Sequence, residues 1–256
     1  MKRSLTVCGR QSIAMTRRRW IADTWNGNSA ALTGDQANHL VRVLRAKPGM
    51  EFDVVAGGHV HRAVIREVAD DKVQLDLKEE LDAASALPLT LLLAITKFDR
   101  FEWALEKATE LGVAQIVPMI ARRTERHLAQ AAAKRLERWQ RVVREAAQQS
   151  RRSDVPQIHP PQPVREAIAQ FAAPGTLALL LSETEVQQSL VSCLEDHAET
   201  TQLRVAIGPE GGWTADELAL FQEAKWIPVT LGPRILRAET AAMAATAICS
   251  AWLAAS

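Results

Sequence analysis

Cysteine is scarce in this chain. Cys8, Cys193 and Cys249 are the only three in 256 residues, and they stand too far apart for a metal-binding or redox spacing. Such usage suits a reducing compartment, so a cytoplasmic protein is expected. The six histidines do not cluster with carboxylates or cysteines, and no metal is expected. No apolar run reads as reaching transmembrane length. Residues 1–16 lack the apolar core of a signal peptide, which argues against export. Two nucleotide-binding signatures are missing as well. There is no G-x-G-x-x-G, and no Gly-Lys-Ser/Thr follows a glycine loop. Acid is absent from the first twenty residues, which hold six basic ones.

What is present is a 47% hydrophobic chain, enough for one large or two medium domains with real cores. Its most informative stretch runs from Leu203 to the C-terminus. Two apolar runs there end in Gly-Pro turns. Residues 203–207 stop at Gly208-Pro209, and residues 226–231 stop at Gly232-Pro233. Short apolar runs bounded in this way read as buried strands. Between them, Thr214-Ala-Asp-Glu217 is a capping box that opens a helix to about Ala224. The unit reads as βαβ, with its glycine turns at the carboxyl ends of parallel strands, where open α/β sheets hold ligands. Gly208, Gly211, Gly212 and Gly232 let backbone approach such a ligand closely. By themselves the residues imply a backbone-lined pocket in an α/β sheet, or two tight structural turns.

IGPEGG followed by LGPRILRAETAA resembles the SPOUT class of RNA methyltransferases. Within that class the chain is most similar to the family that methylates N3 of a uridine in 16S ribosomal RNA, over residues 17–256. The resemblance implies an α/β fold whose C-terminal domain, residues 89–256, carries a trefoil knot. It implies that segments 207–212 and 231–241 wrap S-adenosyl-L-methionine. The donor contacts it implies are Leu181, Ser182, Glu183, Ile207, Gly208, Pro209, Glu210, Gly211, Gly212, Leu231, Gly232, Ile235, Leu236, Arg237, Thr240 and Ala241. Ser182-Glu183-Thr184 is expected to face the donor from the side opposite Gly208. The last helix, residues 239–253, carries no charge after Glu239 and reads as buried, inside the knot or against a second subunit. The family resemblance implies a homodimer acting on 16S ribosomal RNA, free or within the small ribosomal subunit.

Residues 1–16 have little hydrophobic pattern and are expected to be a disordered extension. Met15, just before RRRWI, is a candidate natural start. Residues 17–81 read as a small, mostly β domain. Trp20-Ile21 opens it, strands follow at 52–55, 59–65 and 72–77, and Gly57-Gly58 makes a hairpin turn. Thr33-Gly-Asp-Gln36 reads as a second capping box, before a helix with Ala37, Leu40, Val41 and Leu44 on one face. HLVRVLRAKPG matches the helix and turn of the family's PUA-like β-barrel, an RNA-binding module. Arg42 and Arg45, three apart on one helix face, are expected to touch phosphates, as are Arg18 and Arg19. Residues 82–88 read as a linker.

Residues 89–95 read as the first buried strand of the catalytic sheet. Asp99 is expected to cap a helix with Phe101, Ala104, Leu105, Ala108 and Leu111 inward, ended by Gly112. A strand at 113–119 follows. Residues 128–149 read as one long helix with Leu136, Trp139, Val142, Val143 and Ala146 as its apolar stripe. Segment 122–152 holds ten basic residues against Glu125, Glu137 and Glu145. Arg122, Arg123 and Arg151 are candidate RNA contacts there, the alternative being a solvated helix face. The family usually carries an acid, Gln, a small residue and Gly before its arginine. Gln148 and Arg151 depart from that pattern, while Arg152 keeps the arginine's place.

Methylating uracil N3 requires loss of a proton, which leaves negative charge on two carbonyl oxygens. Cationic donors aimed at those oxygens would stabilise it, and Arg152 and Arg237 are the candidates. Glu239 is the candidate base, or alternatively caps the last helix with Thr240. Two other functions stay open: a SPOUT ribose 2′-O-methyltransferase acting on rRNA or tRNA, and a non-catalytic RNA-binding protein. The PUA-like domain together with ILRAET favours the first function, and the intact glycines argue against the last.

Overall fold

The computed structural model describes residues 19–69, 71–83, 86–171 and 175–255. The expected N-terminal extension, the start at Met15 and Arg18 lie outside the described residues. The chain parts into two compact units between residues 83 and 84.

In the first unit, strands β1 (Trp20–Ile21), β2 (Thr24–Asn26) and β3 (Ser29–Thr33) lead into helix α1 (Gly34–Asn38). A π-helical turn, His39–Val43, continues it. Strands β4 (Glu51–Ala56), β5 (His59–Val68) and β6 (Lys72–Leu81) complete a six-stranded sheet in the order β1-β4-β5-β6-β3-β2. The Ala22 N–H donates to Val55 O of β4 at 2.8 Å, and the Asp23 N–H donates to Ala31 O of β3 at 2.9 Å. Two consecutive residues thus bond to β4 and β3, near the two ends of the strand order, so the sheet curls round to bring them together. Trp20, Leu32, Leu40, Phe52, Ile65 and Leu75 fill the interior.

Two local expectations fail in this unit. Thr33 makes no side-chain cap bond to α1. Its N–H and hydroxyl both donate to the Asp23 carboxylate, at 2.7 and 3.2 Å, and the Gln36 amide donates to Ile21 O and to Asp23. A charged acceptor ten residues away outcompetes the local cap. Arg45 has φ +51° and follows the end of the helical segment, so it shares no helix face with Arg42; both are exposed.

The second unit contains β7 (Leu87–Ala94), α2 (Phe98–Glu110), β8 (Val113–Ile120), α3 (Arg126–Ala132), α4 (Leu136–Gln149), β9 (Gln157–Ile158), β10 (Gln162–Pro163) and α5 (Val164–Gln170). It continues through β11 (Leu177–Leu181), α6 (Leu190–Glu195), β12 (Leu203–Ile207), α7 (Ala215–Glu223), β13 (Ile227–Val229) and α8 (Ala238–Ala255). Its sheet is parallel throughout, in the order β10-β8-β7-β12-β11-β13, with β9 also on β8. The central strands β7 and β12 are mostly apolar, Thr90 and Arg204 apart, as suits strands covered on both faces. Leu91, Leu93, Val205 and Ile207 join a core with Phe101 of α2, Trp139 of α4 and Ala242 of α8. Leu92, Ala94 and Ala206 join another with Val164 of α5 and Phe221 of α7.

Several boundaries differ from the sequence reading. β7 begins at Leu87, inside the expected linker. Residue Lys97, without a side-chain bond, occupies the N-cap of α2, and Asp99 lies in the first turn, where its charge suits the positive helix end. The expected helix 128–149 is broken by a 3₁₀ turn, Ala133–Arg135. β13 is three residues long, shorter than the expected 226–231, and pairs with β11. α8 has an 18-residue window of mean hydropathy 1.2, long and apolar enough by length and composition to cross a membrane, contrary to the expectation of no such run. Its Ala242, Ala245 and Cys249 are nonetheless core residues.

Candidate active site

The loops that follow β11, β12 and β13 enclose a cavity of about 440 Å³, completed by Ala238 and Ala241 of α8. That volume is in the range of small-molecule sites. β11 lies between β12 and β13, so Ser182-Glu183-Thr184 stands between the two glycine turns rather than opposite Gly208. Gly212 has φ +71°, and a Cβ there would sit 2.5 Å from Glu183 Oε1. The positive φ is what calls for glycine there, since the tip of the Glu183 side chain could turn aside. Gly232 has φ +112° and nothing within 4 Å of its Cβ position.

Hydrogen bonds fix the loops to each other. The Trp213 indole N–H donates to Leu181 O at 3.0 Å, and its ring meets Phe221 edge-on at 4.8 Å. The Ser182 N–H donates to Val229 O at 3.1 Å. Thr214 and Glu217 form the expected capping box of α7. Glu217 is buried, and its other oxygen accepts the Arg122 N–H at 2.7 Å, so one carboxylate ties α7 to the segment after β8.

Charged side chains surround the loop after β12. Arg100, in the first turn of α2, donates from Nη1 to Glu210 Oε1. Its Nε lies 3.9 Å from Glu239 Oε1. Glu239 is 5% exposed, and its Oε2 has no partner among the described residues. Arg123 donates to Gly211 O. Further along α8, burial pushes the Cys249 thiol up to about 12.

Thirteen of the sixteen expected donor contacts line this cavity; Gly211, Arg237 and Thr240 do not. A Cβ on Gly211 would meet the Arg123 chain at 3.2 Å instead. Arg237 and Thr240 are exposed. Arg152 is not a lining residue either. Its guanidinium donates to Thr109 O at 2.7 Å and to both oxygens of Asp154, and its side chain is only 8% exposed. Committed to the end of α2, it is not presented to the cavity. Of the expected RNA contacts, Arg122 and Arg151 are exposed, Arg19 is half-buried, and Arg123 is exposed but bonded to the glycine loop. Thr184 and Arg234, from segments expected to meet the donor, do line it, while sequence reasoning missed Gln187, Ser189 and Trp213. For 187–189 the only signal was position after a buried strand. Arg100 carried none, being 110 residues from Glu210.

Residues 83–250 match the RNA methyltransferase domain family, and residues 32–78 match the RNA methyltransferase PUA domain. Ribosomal RNA small subunit methyltransferase E of Synechocystis is 38% identical over 226 residues, covering 88% of this chain and 74% of that protein. The protein of the same name from Bacillus subtilis is 30% identical, over 82% and 85%. A crystal structure of a ribosomal RNA small subunit methyltransferase E from Neisseria gonorrhoeae, bound to S-adenosyl methionine, superposes with a TM-score of 0.79. It is 32% identical and covers 90% of this chain and 95% of its own.

Proposed function

From a chain that belongs to the ribosomal RNA small subunit methyltransferase E family, we propose a uridine-N3 methyltransferase of 16S ribosomal RNA that uses S-adenosyl-L-methionine. The observation that carries this is the cavity itself: its walls are the strand-end loops where thirteen of the sixteen expected donor contacts fall. The residues present suit the donor. The site has room for a nucleoside-sized ligand, open backbone at Gly232, and carboxylates at Glu183 and Glu210 suited to a cationic, polar molecule.

When bound, the donor supplies a methyl group carried on a sulfonium. The chain must then place uracil N3 in line with it and manage the N3 proton. Glu239 is the proposed proton acceptor: its buried Oε2 has no partner among the described residues and stands beside the lining residue Ala238. Arg237, exposed on the approach to α8, and Arg234, in the lining, are the proposed donors to the uracil oxygens. Arg152 serves the frame rather than the reacting atoms.

The finer architecture belongs to the same proposal. The unit ending at residue 83 is the PUA-like RNA-binding domain, the unit from residue 84 is the knotted SPOUT domain, and two copies form a dimer in the cytoplasm. Arg19, Arg42, Arg45, Arg122 and Arg151 contact RNA phosphates.

Incubating the protein with donor and unmodified small ribosomal subunits, followed by nucleoside mass spectrometry, tests the reading. The expected product is 3-methyluridine in 16S RNA. 2′-O-methyluridine would move the chain to ribose chemistry. No product and no donor binding by calorimetry would leave an RNA-binding protein.

A further inference from the structure

We infer that Arg100 is a positioning residue for methyl transfer, one guanidinium that spans Glu210 and Glu239 and so sets the spacing between two walls of the cavity. The inference rests on the donor-site reading above. Glu210 belongs to the loop after β12 and lines the cavity. Glu239 is the second residue of α8, just after the loop that follows β13. Arg100 comes from neither: it stands on α2, with its side chain 28% exposed. Among the described residues it engages these two carboxylates and no other group.

Without the cation, two carboxylates that approach the same point would repel each other. Glu239 would also be a buried carboxylate with only the positive end of α8 to offset it, an arrangement that costs more than an exposed one. The loop after β12 and the start of α8 would then move apart, and the unpartnered Oε2 of Glu239 would leave its place. A planar guanidinium can face two carboxylates at once from separate N–H groups, whereas a lysine ammonium is a compact point charge. Arg100 does not line the cavity, so its effect passes through the carboxylates it holds.

The test compares wild type, Arg100→Ala, Arg100→Lys and Glu210→Gln. Calorimetry measures affinity for S-adenosylmethionine and for its neutral product, S-adenosylhomocysteine. Single-turnover rates are taken at saturating donor and RNA, and Tm is recorded for each variant. In Arg100→Ala both affinities should fall together, and the saturated rate should drop on the order of 10²-fold, the cost of a small misplacement of reacting groups. Lysine should restore only part of the rate. Glu210→Gln, which cuts the link from its other end, should also lower the rate. If Arg100→Lys matches wild type, a point charge suffices and the bridging role is overturned. A selective gain for the cationic donor over the neutral product would show a charge effect instead. A lowered Tm with wild-type affinities and rate would reduce Arg100 to a stabilising residue. Failure of wild type to bind the donor would remove the site reading; normal wild-type methylation matched by Arg100→Ala would remove this inference alone.

Discussion

At the scale of single residues, one glycine from each of the two paired motifs should respond differently to substitution. Gly232 has φ +112° and faces open space, so Gly232→Val combines backbone strain with a branched group at the cavity. Donor binding should be lost while the fold survives, as calorimetry and a thermal melt would show together. Gly211→Ala meets only the flexible Arg123 chain at 3.2 Å and should keep donor affinity within about threefold, a shift of under ~1 kcal/mol. Arg152→Ala should act on stability, because it strips Thr109 O and Asp154 of a buried charged donor. Urea unfolding should show a loss of about 2–3 kcal/mol. Unchanged stability with a reduced single-turnover rate would return Arg152 to the reaction. The glycines were legible because only the backbone's needs select them. The partners of Arg152, Arg123 and Arg100 were not, because an arginine reads the same in sequence whether it meets RNA, a carbonyl or two carboxylates.

At the scale of elements, the start of α7 carries more than a cap. Thr214→Ala removes one side-chain cap and should cost about 1 kcal/mol. Glu217→Ala also leaves the Arg122 N–H without its acceptor, and should cost more, about 2–3 kcal/mol by denaturant titration. Equal losses would show that the link to the segment after β8 contributes nothing. On α8, a Cys249 thiol raised to about 12 stays protonated at pH 8, so iodoacetamide should label it only after unfolding. The capping box of α7 was readable because its partners lie three residues apart. Thr33 offered the same local pattern and did not cap, because Asp23 reaches it through the closure of the small sheet. The insertion of β11 between β12 and β13 was likewise invisible: an apolar run declares a strand but not its neighbours.

At the scale of the whole molecule, the expected RNA contacts Arg42 and Arg45 belong to one unit and the cavity to the other. Replacing both arginines with alanine should weaken RNA binding and reduce its salt slope by roughly two. Donor affinity should stay at the wild-type value in calorimetry; a parallel loss would mean that the units do not act independently. The strand order also carries a consequence for synthesis. β7 ends at Ala94, yet its central partner β12 begins only at Leu203, 203 − 94 = 109 residues later. At a translation rate of 5–20 residues per second, that is roughly 5–20 s during which one edge of a leucine-rich strand waits on the nascent chain. The small sheet, complete by Leu81, has no such delay. The half-made second unit is therefore the interval in which this protein most needs a chaperone, and the step at which slow translation or heat would divert it to aggregation.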